Sequence, residues 1–170
     1  MIKIIGAKGN IQNVDDFLKK ITKIIEDNDI LIQVFDAELI YGKNHLISSF
    51  EHAKRAMDRK TNTTNSLEME TLLYSSGERQ LKLAIPKMGV KKGSVSIALI
   101  FICKSQSNIT DKLVSDFLEE LFLNRDDSVL EGDEDTLKKF GITENEMKTV
   151  TKEKYGDLIL EKVAMVDIIK

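Results

Sequence analysis

Tryptophan is absent from this chain, and proline and cysteine occur once each. A single cysteine excludes an internal disulfide, and Cys103 falls in a β-branched run where a buried, inert thiol in a reducing compartment is the ordinary expectation. Long apolar runs are missing as well. The longest, residues 95–103, is far too short to span a bilayer as a helix, and the first thirty residues carry Lys3, Lys8, Asp15, Asp16, Lys19 and Lys20, which a signal peptide or anchor excludes. A soluble, cytoplasmic protein is expected. Lysine far outnumbers arginine, a usage that fits an AT-rich genome and carries no chemistry of its own.

Groups for catalysis are equally scarce. His45 and His52 are the only histidines. Seven residues apart on one helix they sit about 10 Å from each other, too far for one metal ion, and no Cys or further His stands nearby. Cys103 on a central strand is a poor nucleophile for either of them. Glu68 and Glu70, two apart, diverge on a helix and do not pair as acid and base. The segment Gly6-Ala7-Lys8-Gly9 lacks both the Gly-Lys-Ser/Thr ending of a nucleotide loop and the third glycine of a dinucleotide fingerprint, so a plain strand-to-helix turn is expected there. No catalytic residue, metal or cofactor is expected.

What the chain does have is 42% apolar residues over 170 positions, enough for one sizeable core. Residues 1–6 alternate Lys with Ile, as a first strand does. Val14, Phe17, Leu18, Ile21, Ile24 and Ile25 follow helical spacing behind a capping Asn13, and residues 30–35 read as a second strand. Leu46, Phe50, Ala53 and Met57 form another helical stripe. Residues 60–65 make a polar loop, after which Ser66 starts a helix through Leu67, Leu72 and Leu73 that Gly77 interrupts. A further helix from Glu78 carries Leu81, Ile85 and Met88, with Pro86 inside it, either bending it or marking its first turn. In residues 94–103 both alternating faces are apolar, the mark of a central strand. Ile109 to Leu121 gives an amphipathic helix and residues 126–135 an acidic loop. Thr143 and Glu146 have capping-box spacing, and the apolar tail 158–169 is a strand or a packed helix. The order predicts an α/β (mixed α+β) chain, one domain over residues 1–170, with one small mixed β-sheet covered by several α-helices.

Charge is divided along the chain. Residues 43–92 hold ten bases against five acids, whereas residues 111–146 hold twelve acids against four bases. Lys54, Arg55, Arg59 and Lys60 lie within seven residues, and Arg79, Lys82, Lys87, Lys91 and Lys92 follow without an acid among them. Such clusters suit a phosphate backbone, because each neutralised phosphate releases counterions. In and beside this segment the only aromatics are Tyr41, Phe50 and Tyr74, which argues against a broad stacking platform and for contact with a backbone or one exposed end. A solvated basic face opposite an acidic one is the alternative.

Gly42-Lys43-Asn44-His45-Leu46-Ile47-Ser48-Ser49-Phe50-Glu51-His52-Ala53, Ser66-Leu67-Glu68-Met69-Glu70-Thr71-Leu72-Leu73 and Gly77-Glu78-Arg79-Gln80-Leu81 stand in order at spacings that resemble the small kinase-binding subunit of the KEOPS (EKC) complex. Leu160-Glu161-Lys162-Val163-Ala164 resembles that family's ending, and Pro86 departs from it, standing where an ordinary helix former is expected. The resemblance implies a non-enzymatic subunit of a machine that transfers a threonylcarbamoyl group to the adenosine beside the anticodon of ANN-decoding tRNAs. A separate metal-dependent transferase does the chemistry and is an indirect partner. The subunit itself docks on the small atypical kinase/ATPase subunit and captures the single-stranded 3′ CCA end of tRNA. By position, the resemblance implies RNA contact at Asn44, His45, Lys54, Arg55, Arg59, Lys60 and Arg79, with Arg79 on a phosphate and His45 on a base. For the residues singly, His45 capping its helix and Arg79 pairing with Glu68 or Glu70 remain open. Kinase docking is expected at the apolar tail, Leu158, Ile159 and Val163. An adaptor without RNA contact is the alternative that salt-dependent tRNA binding separates.

Overall fold

A computed structural model describes residues 1–105 and 108–170. Its frame is a four-stranded sheet in the order β2-β3-β1-β4, formed by β1 Ile2–Ile11, β2 Ile30–Asp36, β3 Gly93–Cys103 and the two-residue β4 Asn124–Arg125. The mixed α/β class is as expected. The sheet, expected to be mixed, is antiparallel at every pairing among the described residues, because β3 inserts between β1 and β2 and keeps those two like-directed strands apart.

Both faces of β3 are buried, as its unbroken apolar run requires. Ile97, Leu99 and Phe101 face the helices α1 (Val14–Glu26) and α5 (Asp111–Glu120), where Phe101 meets Phe117 edge to face at 5.2 Å. Ala98, Ile100 and Ile102 face the opposite layer, built from α2 (Gly42–Arg59), α3 (Leu67–Ser76), α4 (Leu81–Met88), α6 (Glu134–Phe140), α7 (Glu144–Met147) and α8 (Tyr155–Ile169). The helices α2, α3 and α8 also pack on each other through Ala53, Ala56, Tyr74, Val163 and Val166, beyond the reach of the sheet. Small residues on α2 let α8 approach closely, and the Tyr74 ring fills the space between them.

Local signals hold where side chains cap backbone. Asn13 Oδ1 accepts from the Asp16 amide at 3.0 Å, and Thr143 with Glu146 forms the reciprocal box that opens α7. Four readings need correction. First, β1 runs to Ile11, so Gly6-Ala7-Lys8-Gly9 is strand and not a turn. The glycines are there for close approach: a Cβ on Gly6 would stand 2.4 Å from the Asp126 carbonyl oxygen, and one on Gly9 2.5 Å from the Leu123 side chain. Second, α4 begins at Leu81, with residues 78–80 as a connection, and Pro86 lies inside the helix. Third, the acidic segment is not all loop, because Asp133 and Thr136 form a capping box that crowds acids into the first turn of α6. Fourth, Cys103 ends β3 and is only half-buried. The tail is a packed helix, which resolves the choice left between strand and helix. No helix among the described residues is long and apolar enough to cross a membrane.

Candidate nucleic-acid interface

The helix α2 carries most of the charged cluster, and its burial pattern decides which side chains reach solvent. Leu46, Ser49, Phe50, Ala53 and Ala56 turn inward, leaving Asn44, Lys54, Arg55, Asp58 and Arg59 exposed on the outer side. Its first turn has an unusual cap. Gly42 takes φ +76, where a Cβ would be strained, and Tyr41 offers no capping side chain. Instead the Tyr41 amide donates to His45 Nδ1 at 3.3 Å, while His45 Nε2 lies 2.8 Å from the Ser75 carbonyl at the end of α3. The network therefore fixes the neutral tautomer with the proton on Nε2.

His45 has no exposed surface, and its ring meets Phe140 edge to face at 5.6 Å. The expected RNA contact at His45 is corrected on that ground: both nitrogens are engaged inside the fold, so the residue caps α2 and ties it to α3. Burial drives its imidazole down to about 4, with the nearby Lys87 charge acting in the same direction against the Ser75 hydrogen bond. A depressed value means that the fold favours the neutral ring. The stabilisation is complete above the unfolded value near 6.5 and is lost as the pH falls through about 4. Urea unfolding at pH 7 and pH 4.5 should differ by about 2 kcal/mol from this ring alone. The difference should shrink by that amount in His45→Phe, and an unchanged pH dependence in that variant would remove the assignment.

The cationic residues fall into two groups by partner. Lys54 pairs with Asp58 at 3.6 Å, and Lys91 with Asp36 at 2.7 Å. Lys87 turns inward, donating to the Ser76 carbonyl at 2.7 Å and lying 4.0 Å from the centre of the Phe140 ring. Burial lowers its ammonium below the usual lysine value, against the raising effect of Glu78. Arg55, Arg59, Lys60, Arg79, Lys82 and Lys92 are exposed and form no ion pair among the described residues. The choice left open for Arg79 is thereby settled against Glu68 and Glu70: Glu70 is enclosed and occupied elsewhere.

These residues do not converge on a pocket. The His45–Ser75 bond sets the start of α2 beside the end of α3, so Asn44 and Arg79 belong to one end of the helix pair and Arg59 and Lys60 to the other. From Asn44 to Arg59 the helix rises about 22 Å. A row of that length suits an extended strand of several phosphates better than a single bound group. Among the described residues no exposed aromatic accompanies it, since Tyr74 is buried and the Tyr41 ring fills a slot over Gly132 and Gly156, where a Cβ would come within 2.2 and 3.4 Å of it.

The far end of the row is held with more force than a loop of polar residues suggests. Lys60 takes the left-handed conformation at φ 57, and the amides of Lys60 and Thr61 close the helix onto Met57 and Ala56. Glycine is the favoured residue at such a position, so a lysine there is kept at a backbone cost of about 1 kcal/mol. Beyond it, Glu70 of α3 accepts from the amides of Thr63 and Thr64 at 3.1 and 2.8 Å and from Lys170 Nζ at 3.0 Å. Nearby, Asp167 of α8 receives the Tyr74 hydroxyl and lies 2.7 Å from His52 Nδ1. These carboxylates clamp the loop and the last turn of α8 to the α2–α3 pair. In the sequence Glu70 is an acid that diverges from Glu68 and could pair with Arg79; nothing in its spacing announces a partner 100 residues away.

Leu158, Ile159 and Val163, expected to dock a partner, are likewise corrected. All three are buried in the cores that α8 shares with α2, α3 and the sheet, so they are unavailable to another protein. Apolar surface on α8 remains at Met165, Ile168 and Ile169, of which Ile168 is 74% exposed.

Comparison with known proteins identifies a family and a curated relative. The family model described as Kinase binding protein CGI-121 matches residues 9–167. Regulatory protein Cgi121 of Methanocaldococcus jannaschii is 28% identical over 142 residues, spanning 81% of this chain and 84% of that protein.

Proposed function

The chain belongs to the CGI-121 family of kinase binding proteins, and from that premise we propose that it is a non-catalytic regulatory subunit of the KEOPS tRNA threonylcarbamoyladenosine-modification complex. In this reading it works in the cytoplasm, docks on the atypical kinase/ATPase subunit, stands in one assembly with the transferase, and recruits tRNA by its 3′ CCA end. The kinase-binding part rests on the family description, which the curated relative's name, a regulatory protein, accompanies. Exposed Met165, Ile168 and Ile169 offer a protein partner an apolar contact on α8.

The RNA part rests on one observation: Arg55, Arg59 and Lys60 are exposed and form no ion pair along α2, with Arg79 at its other end, while Lys54 and Lys91 are held by acids and Lys87 is turned inward. Unneutralised cations in a row are what a nucleic-acid strand exchanges for its counterions. The test is binding of the purified protein to intact tRNA and to tRNA trimmed of its terminal CCA, across a salt series. Weaker binding of the trimmed tRNA, with an affinity that falls as salt rises, is the expected result. Equal binding to both RNAs, or none to either, would leave an adaptor that meets a kinase without touching RNA.

A further inference from the structure

The strand β2 is an edge of the sheet, and its outer side is open. Which backbone groups point outward follows from the hydrogen-bond phase. The Lys104 amide donates to the Asp29 carbonyl at 3.3 Å, just beyond the paired strands, while the Cys103 amide donates to Met1 at 3.0 Å. Even positions of β3 therefore bond β2, and odd positions bond β1. In the register that pairs Leu31 with Ile102 and Gln33 with Ile100, the N–H and C=O of Ile32 and Val34 face away from the sheet. The Gln33 side chain confirms the phase, because its amide nitrogen reaches Val34 O at 3.0 Å and occupies one of those acceptors.

This edge is the floor of a groove of about 540 Å³. Leu18 and Ile25 of α1 form one wall, and Met69 of α3 with Ile85 and Pro86 of α4 form the other. Leu18 and Ile85 are exposed despite their size. Edge strands are commonly protected by charge, proline or a bulge, and β2 carries none of these before Asp36. Glu68 also lines the groove, and its Oε2 is buried with no hydrogen-bond partner among the described residues. A buried carboxylate oxygen without a donor is costly, and here the missing partner is a cation or a strong donor.

We propose that the groove beside β2 receives an extended segment of a partner protein, which adds a strand to the sheet, seats alternate apolar side chains between α1 and α4, and presents a lysine or arginine to Glu68. Backbone bonds to Ile32 and Val34 supply the register, and the apolar walls and Glu68 supply selectivity. The charge requirement argues against a second copy of the same strand, since Ile30–Asp36 contains no base. Neither the RNA row on α2 nor the apolar end of α8 takes part, so the proposal stands or falls apart from the reading above.

The probe is a capped hexapeptide of alternating threonine and valine with one central lysine, titrated into the ¹⁵N-labelled full chain. Saturable shifts are expected at the amides of Ile32, Val34, Met69 and Ile85. Binding should weaken at least about tenfold when the lysine is exchanged for glutamate, a difference of about 1.4 kcal/mol. It should vanish when alternate peptide amides are methylated, or in Ile85→Asp, a substitution at an exposed position that leaves the core intact. Absent shifts, equal response to the lysine and glutamate peptides, binding that survives methylation, or concentration-dependent self-association through β2 would each overturn it.

Discussion

Lys170→Met is expected to lower the unfolding free energy by about 3 to 5 kcal/mol, the usual cost of stranding one partner of an enclosed ion pair. Glu70 has no exposed surface, and the Lys170 side chain retains only 8% of its own. Besides meeting Glu70 at 3.0 Å, the ammonium lies 4.4 Å from the centre of the Tyr74 ring, so its site is shaped for a cation on two sides. Removing it leaves the carboxylate with the amides of Thr63 and Thr64 but without a counter-charge. The double variant Glu70→Gln with Lys170→Met should recover most of the loss, because glutamine still accepts from those amides and no buried charge is left over. Urea denaturation of the four members of this cycle measures the coupling. A Lys170→Met protein within about 0.5 kcal/mol of the parent would show that Glu70 is compensated from elsewhere. The effect reaches the candidate interface as well, since the same carboxylate fixes the loop that follows Lys60.

The fold was legible wherever one element states its own environment. Residues 97–103 are apolar at every position, so both faces are apolar there, which only an interior strand satisfies, and β3 is that strand. Asn13 and the Thr143–Glu146 box act on amides three residues away, so their effect is written in adjacent sequence. Misreadings arose where the cause lies far along the chain. The glycines of β1 look like a turn until residues 122–129 cross over them, and α8 looks like free apolar surface until Leu158, Ile159 and Val163 meet α2 and α3. For the candidate site the residue types were readable, but their states were not. Histidine at position 45 suggests chemistry in a string of letters; enclosed between Tyr41 and Ser75 it is a cap. Of the clustered bases, only the structure separates Arg55, Arg59, Lys60 and Arg79 from Lys54, Lys87 and Lys91, whose charges are already met. The Asp133–Thr136 box was within reach of sequence reading, since Leu137 and Phe140 follow it at helical spacing and Gly141 closes the helix.

Reversing charge at Arg55, Arg59 and Arg79 together should reduce the affinity for intact tRNA by at least about 30-fold at low salt, as three charge-assisted contacts of about 1.5 kcal/mol or less would give after partial replacement by neighbouring lysines. If each arginine meets one phosphate of a single strand, the slope of log affinity against log salt should become shallower by about 2, at about 0.7 per phosphate. All three side chains are exposed and outside the cores, so the stability of the triple variant should stay within about 1 kcal/mol of the parent. Lys54→Glu should matter less, because Asp58 already neutralises Lys54. The decisive comparison is a second triple variant, Lys19, Lys20 and Lys23 to glutamate on α1, which packs on the opposite face of the sheet from α2. It makes the same change in net charge and, compared at about 0.1 M salt, should leave tRNA affinity within a few-fold of the parent, since there charges beyond a Debye length of about 10 Å are largely screened. Equal losses in the two variants would mean that overall charge, not the α2 row, attracts RNA. An unaffected α2 variant would remove RNA from that face, and the unpaired arginines would then be available to an acidic surface on a protein partner, where the same salt series run against the kinase subunit would register them.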